Sequence, residues 1–202
     1  MSPRFLPTAG AVAFLLAAGI AAAFHLTLGF RAFTTEEARR IRVAQAPLAV
    51  SPVDVIDGAG MQKKLWQDPG TRAWLVTFVY TDCPSICLAA GTEFQQMQAS
   101  MSGDVKLASL SFDRARDTPE ALAAYAKRFH ADPARWLVAV PESDAALRRL
   151  LREMRVVAID DGAGGYAHNA AIHIVTPSGS LVALFDLERH REALAFAQAL
   201  AQ

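Results

Sequence analysis

Cysteine is almost absent from this chain: Cys83 and Cys87 are the only two among 202 residues. That excludes a fold stapled by several disulfides, and it leaves each thiol no partner except the other or a ligand held between them. Net charge is missing as well. Twenty Lys and Arg residues balance twenty Asp and Glu, so no global field argues for nucleic acid or an acidic partner. Internal repeats and low-complexity tracts are lacking beyond one Ala-rich stretch near the start, which excludes a repeat architecture.

That stretch is the first thing present. From Ala9 to Phe30 the chain carries no formal charge, with Arg4 before it and Arg31 after it. At about 1.5 Å per helical residue it spans a hydrocarbon core of about 30 Å. Ala21-Ala22-Ala23 offers small residues compatible with a signal-peptidase site. The overall length and the continuation through Phe24, Leu26, Leu28 and Phe30 favour an uncleaved anchor. Residues 1–33 are therefore expected to form a membrane anchor or signal peptide, 34–50 a juxtamembrane linker or short helix, and 51–202 one domain long enough for a sizeable core. Arg31, Arg39, Arg40 and Arg42 lie on the body side of the anchor, which on the positive-inside rule would leave the body in the cytoplasm.

Within the domain, Trp74 to Tyr80 is an unbroken apolar, β-branched and aromatic run, the pattern of a strand buried on both faces. Pro84 fits the first position of a helix, where its missing N–H costs nothing. The helix expected from Ser85 to about Ser100 spaces Ile86, Phe94, Met97 and Met101 along it. Residues four apart on a helix have Cβ atoms roughly 5–6 Å apart, so Cys83 and Cys87 can converge. Their sulfurs can close a disulfide or chelate one soft metal ion. The helix N-terminus also favours the thiolate of Cys83. A purely structural bridge is the weaker reading, because stabilisation comes from closing a long loop and this one closes almost none.

Downstream, Val105 to Phe112 alternates as a strand does, and Asp113 to Asp117 reads as a polar loop. Thr118-Pro119-Glu120 then starts a helix expected to reach about Phe129. Trp136 to Val140 is a short buried strand and Asp144 to Glu153 a helix whose Arg148, Arg149 and Arg152 form a solvated face. Met154 to Ile159 reads as extended, and Asp160 to Gly165 as a glycine loop. A strand from Ala171 to Thr176, a turn at Pro177-Ser178-Gly179, a strand from Leu181 to Phe185 and a helix from His190 to Ala201 close the chain. This order predicts an α/β sandwich around a mixed sheet, as in a thioredoxin-like fold.

Five histidines are present. His25 lies in the anchor, and His130 and His190 sit near helix ends. His173, inside an apolar strand, reads as a core imidazole with one hydrogen bond. His168 differs, because it follows the glycine loop where a side chain can project toward the cysteine helix.

Three separated stretches carry a resemblance: Thr77 to Cys87, Ser111 to Glu120 with Tyr125 to Phe129, and His168 ahead of Ile172 to Gly179. Over roughly Pro52 to Ala201 the chain resembles the SCO/SenC family of membrane-anchored, thioredoxin-like copper proteins that assist assembly of the dinuclear copper centre of cytochrome c oxidase. The resemblance implies a metallochaperone with Cys83, Cys87 and His168 as copper ligands. It also implies a copper donor protein, an oxidase copper-centre subunit or another copper acceptor as partners, and a single-pass position in a bacterial inner membrane with the domain facing the periplasm. The family usually reads Cys-Pro-Asp-x-Cys-Pro; here Ser85 replaces the acid and Leu88 the second proline, and neither change removes a ligand. Two thiolates and an imidazole suit Cu(I), and an added oxygen or water would complete Cu(II). Structural zinc normally takes a fourth protein ligand.

The competing reading is a thiol:disulfide oxidoreductase that reduces the cysteines of a copper acceptor. Such reductases usually carry CxxC and a cis-proline before the facing strand, whereas this chain has CxxxC and no proline between Pro141 and Pro177. A peroxidase of the peroxiredoxin type would need Thr or Ser where Tyr80 stands.

Overall fold

The computed structural model describes residues 5–83, 86–162 and 164–201. Pro84 and Ser85, expected to open the cysteine helix, and Ala163 of the glycine loop lie outside the described residues. The chain divides into two compact units, 1–42 and 43–202.

In the first unit, helix α1 (Phe5–Leu26) is the expected apolar helix. Its stretch Thr8–Leu26, 19 residues with a mean hydropathy of 2.0, is long and apolar enough to cross a membrane. A second helix, α2 (Thr35–Gln45), occupies most of the segment expected as linker or short helix. Its start is locally encoded: the Thr34 hydroxyl accepts from the Glu37 amide at 3.1 Å, and the Glu37 carboxylate accepts from the amides of Phe33 and Thr34 at 2.8 and 3.1 Å. This reciprocal cap satisfies amides that an open helix end leaves unpaired.

The second unit is built on an eight-stranded mixed sheet in the order β1 (Leu48–Ala49), β10 (Ser180–Phe185), β9 (Ile172–Val175), β4 (Ala73–Val79), β5 (Val105–Ser111), β6 (Trp136–Pro141), β2 (Asp54–Asp57) and β3 (Gln62–Lys64). Strands β4, β5 and β6 are parallel, and every other strand runs antiparallel to its inner neighbour. All seven positions of β4 are buried, as its unbroken apolar run requires.

Helix α3 (Ile86–Ser100) crosses from β4 to β5, and α4 (Pro119–Arg128) from β5 to β6. The two helices touch closely: the Tyr125 hydroxyl donates to the Cys87 carbonyl at 3.1 Å, and a Cβ at Gly91 would lie 2.5 Å from the Phe129 ring. Thr118 caps α4 by accepting from the Ala121 amide, with Pro119 in the first turn. Helix α5 (Asp144–Glu153) turns Arg148, Arg149 and Arg152 outward as expected. Helix α6 (His190–Leu200) packs on β4 and α3.

Two differences from the sequence expectation stand out. The sheet begins inside the segment taken as linker, because Leu48 and Ala49 pair with Leu181 and Ser180. After α5, the extended stretch shortens to β7 (Ala158–Asp160), which pairs with β8 (Tyr166–His168) as a separate two-stranded ribbon. The glycine loop forms the turn of this ribbon, with Gly164 at φ +90°, a conformation open to glycine at little cost.

Candidate functional site

The strand β4 ends at Val79 and the chain turns through Thr81 and Asp82 to Cys83 at the head of α3. Asp117 fixes this turn from the next crossover. Its carboxylate, 2% exposed, accepts from the Thr81 amide at 3.0 Å, the Thr81 hydroxyl at 2.6 Å and the Ser111 hydroxyl at 2.5 Å. A buried carboxylate is tolerated when its lone pairs are filled in this way. The polar loop of the sequence is thus the brace under the cysteine turn.

Cys83 and Cys87 are both buried, and no disulfide joins them. The Cys87 amide donates to Cys83 Sγ at 3.3 Å, so the first turn of the helix directs an N–H at that sulfur, as the sequence position suggested. The two thiols are not equivalent. Burial and the neighbouring Cys83 sulfur push the Cys87 thiol well above the ordinary range.

His168 stands at the end of β8 in an aromatic setting. Its ring centroid is 5.1 Å from that of Phe112; Phe112 lies 5.1 Å from Tyr166, and Tyr166 5.2 Å from Tyr80. The Tyr80 carbonyl in turn accepts from the Cys83 amide at 3.3 Å, so this ring cluster joins the ribbon to the cysteine turn. Both His168 nitrogens are buried without a hydrogen-bond partner. Burial lowers its pKa, which favours the neutral imidazole. Leaving two buried ring nitrogens unsatisfied costs free energy that a ligand would recover.

The structure brings the two cysteines together as expected. It does not gather His168 with them into a finished cluster: among the described residues no three His, Cys, Asp or Glu side chains stand at metal-holding spacing. His173 is buried in β9 with Nδ1 3.3 Å from the Val76 carbonyl, the core imidazole expected of it. His130 is exposed, and His190 pairs with Glu93 at 2.6 Å. Sequence reasoning missed Asp117, Arg116, Phe112 and Tyr166. The cue available was the Asp113-to-Asp117 segment directly after an apolar strand, which the sequence presents as a polar loop with no role of its own.

The donor set fits a thiophilic, low-coordinate ion: two sulfurs within one helical turn and a neutral imidazole lacking any other partner. The same pair of thiols can also bridge, since no other cysteine competes.

A model of the SCO1/SenC family matches residues 45–201. The SCO1 protein homolog of Bacillus subtilis (strain 168) is 25% identical over 116 residues, 55% of this chain and 60% of that relative, so the match spans three fifths of its length. Among solved structures, ScoI of Bradyrhizobium japonicum with copper bound aligns with a TM-score of 0.64 at 24% identity, covering 75% of this chain and 99% of that one. BsSco, described with a disulfide switch and as a member of the Sco family of cytochrome c oxidase assembly proteins, aligns at 0.65 and 19% identity, covering 77% and 95%. The likeness covers about three quarters of the chain and establishes the thioredoxin-like fold expected from the order of elements.

Proposed function

The chain belongs to the SCO1/SenC family, and from that premise we propose that it is a copper metallochaperone acting in assembly of the copper centre of cytochrome c oxidase. Cys83, Cys87 and His168 are the ligands in this reading. Copper is the cargo, taken from a donor protein and delivered to an oxidase copper-centre subunit or another acceptor. The observation that carries the reading is His168: a half-buried imidazole whose two ring nitrogens are buried with no hydrogen-bond partner, packed against Phe112 in the aromatic cluster that reaches the cysteine turn. The two thiolates and the imidazole make a soft site suited to Cu(I). Helix α1 anchors the chain, and the domain faces the periplasm.

Anaerobic titration of the reduced, detergent-solubilised chain with Cu(I) tests the site. One copper is expected to bind per chain, and His168→Ala is expected to weaken it by at least tenfold. A His168→Ala protein with wild-type affinity would remove the third ligand from the reading.

One observation favours a second role for the same thiols. Cys83 receives a helix amide while Cys87 is held protonated by burial, the asymmetry of an attacking and a resolving thiol. In the thiol:disulfide oxidoreductase reading, Cys83 attacks a disulfide of the copper acceptor and Cys87 then displaces the reduced product, leaving Cys83–Cys87 oxidised. Reduction of an acceptor disulfide with equimolar oxidation of this pair is the result that this role requires.

A further inference from the structure

The ribbon that carries His168 is not part of the main sheet, so its place beside the cysteine turn has to be held by side chains. We propose that Arg116 is the positioning residue that holds it there; the proposal rests on the three-ligand reading above. Arg116 lies between the two aspartates of the brace. Its Nε donates to Asp113, whose side chain is 4% exposed. Its Nη1 donates to the Gly164 carbonyl at the turn of the ribbon, at 2.5 Å. The guanidinium carbon also lies 5.5 Å from the centre of the Tyr166 ring in β8 and 6.0 Å from that of Tyr80, at the end of β4 beside the cysteine turn.

One planar cation therefore touches the brace, the ribbon turn, the ribbon strand and the approach to Cys83. Distances of this size are those at which a guanidinium is attracted to an aromatic face. Asp113 gives the contact direction, because its buried carboxylate fixes one edge of the fork and leaves the other edge to reach Gly164. The left-handed turn at Gly164 presents its carbonyl to that edge.

The consequence concerns the unfinished cluster. His168 is linked to the cysteine turn through the Phe112, Tyr166 and Tyr80 rings without being gathered with the cysteines, so in the three-ligand reading binding requires the ribbon to settle on the metal. A ribbon confined by Arg116 spends more of its time in the competent arrangement, and apparent affinity scales with that fraction. Lysine cannot replace arginine here, since it lacks both the flat face and the second donating edge.

The test uses the full chain in detergent and the variants Arg116→Met and Arg116→Lys. Hydrogen–deuterium exchange of the metal-free protein is the readout independent of copper. Residues 158–168 are expected to exchange about tenfold faster in both variants, with β4 and β5 unchanged. Cu(I) affinity is expected to fall roughly 10- to 100-fold, as for other groups that orient a ligand, with one copper still bound per chain. Wild-type exchange in Arg116→Met, or full recovery in Arg116→Lys, overturns the proposal. Faster exchange with unchanged copper affinity, while His168→Ala does weaken binding, overturns the positioning role. If His168→Ala binds as wild type, the three-ligand reading falls and this positioning role falls with it.

Discussion

At the residue scale, the cysteine turn depends on the Asp117 carboxylate that holds Thr81. Asp117 satisfies three donors in a buried place, so Asp117→Ala leaves the Thr81 amide and two hydroxyls without an acceptor. Each unsatisfied buried group costs about 1–3 kcal/mol; with partial relaxation, the expected loss of stability is about 3 kcal/mol, read from urea unfolding of the metal-free protein. Asp117→Asn, which keeps one carbonyl oxygen, is expected to lose less. Equal stability of wild type and Asp117→Ala would mean that the brace carries no weight. The convergence of the two cysteines was legible because they are the only two in the chain and stand four apart, whereas His168 entered as a candidate ligand through the family resemblance. Asp117 was not legible, since its partner Thr81 lies 36 positions away and a carboxylate in a polar run reads as solvated.

At the element scale, close approach of two helices sets the geometry of the cysteine turn. Gly91 lets the Phe129 ring lie against α3, and a methyl group there would overlap the ring at 2.5 Å. Alanine is otherwise the better helix former by roughly 0.5–1 kcal/mol. Overpacking costs about 1–3 kcal/mol, so Gly91→Ala is expected to be destabilising by about 1 kcal/mol in thermal or urea unfolding. Pairing it with Phe129→Leu should recover part of that loss; a stabilised Gly91→Ala single variant would show that the helices separate freely. Strand β4 and helix α4 were legible from an unbroken apolar run and from Thr118-Pro119-Glu120, both local signals. The pairs β2–β3 and β7–β8 were not, because strands of three or four residues with charged or exposed positions have too few periods to show alternation.

At the scale of the whole molecule, an electrostatic expectation and a functional one oppose each other. Four arginines on the body side of α1 favour a cytoplasmic body, while the function proposed needs the body on the other side. Fusing an enzyme active only in the periplasm to the C-terminus decides between them: activity is expected, and a silent fusion that is made in full would reverse the topology. The thioredoxin-like order was legible because it follows from the alternation of elements. The division into a sheet and a detached ribbon was not, since nothing local distinguishes a strand that joins a sheet from one that pairs beside it.

The place of β4 in the sheet has a consequence for how the chain comes into being. Its neighbours are β5, which follows shortly, and β9, formed by Ile172–Val175 near the end of the chain. During synthesis from the N-terminus, β4 therefore remains a sheet edge until almost all of the protein has emerged. For most of that interval Cys83 and Cys87 exist without His168 and without the strand that covers the open edge of β4. In the three-ligand reading, the newborn protein therefore carries its thiol pair before it carries the imidazole that completes the site.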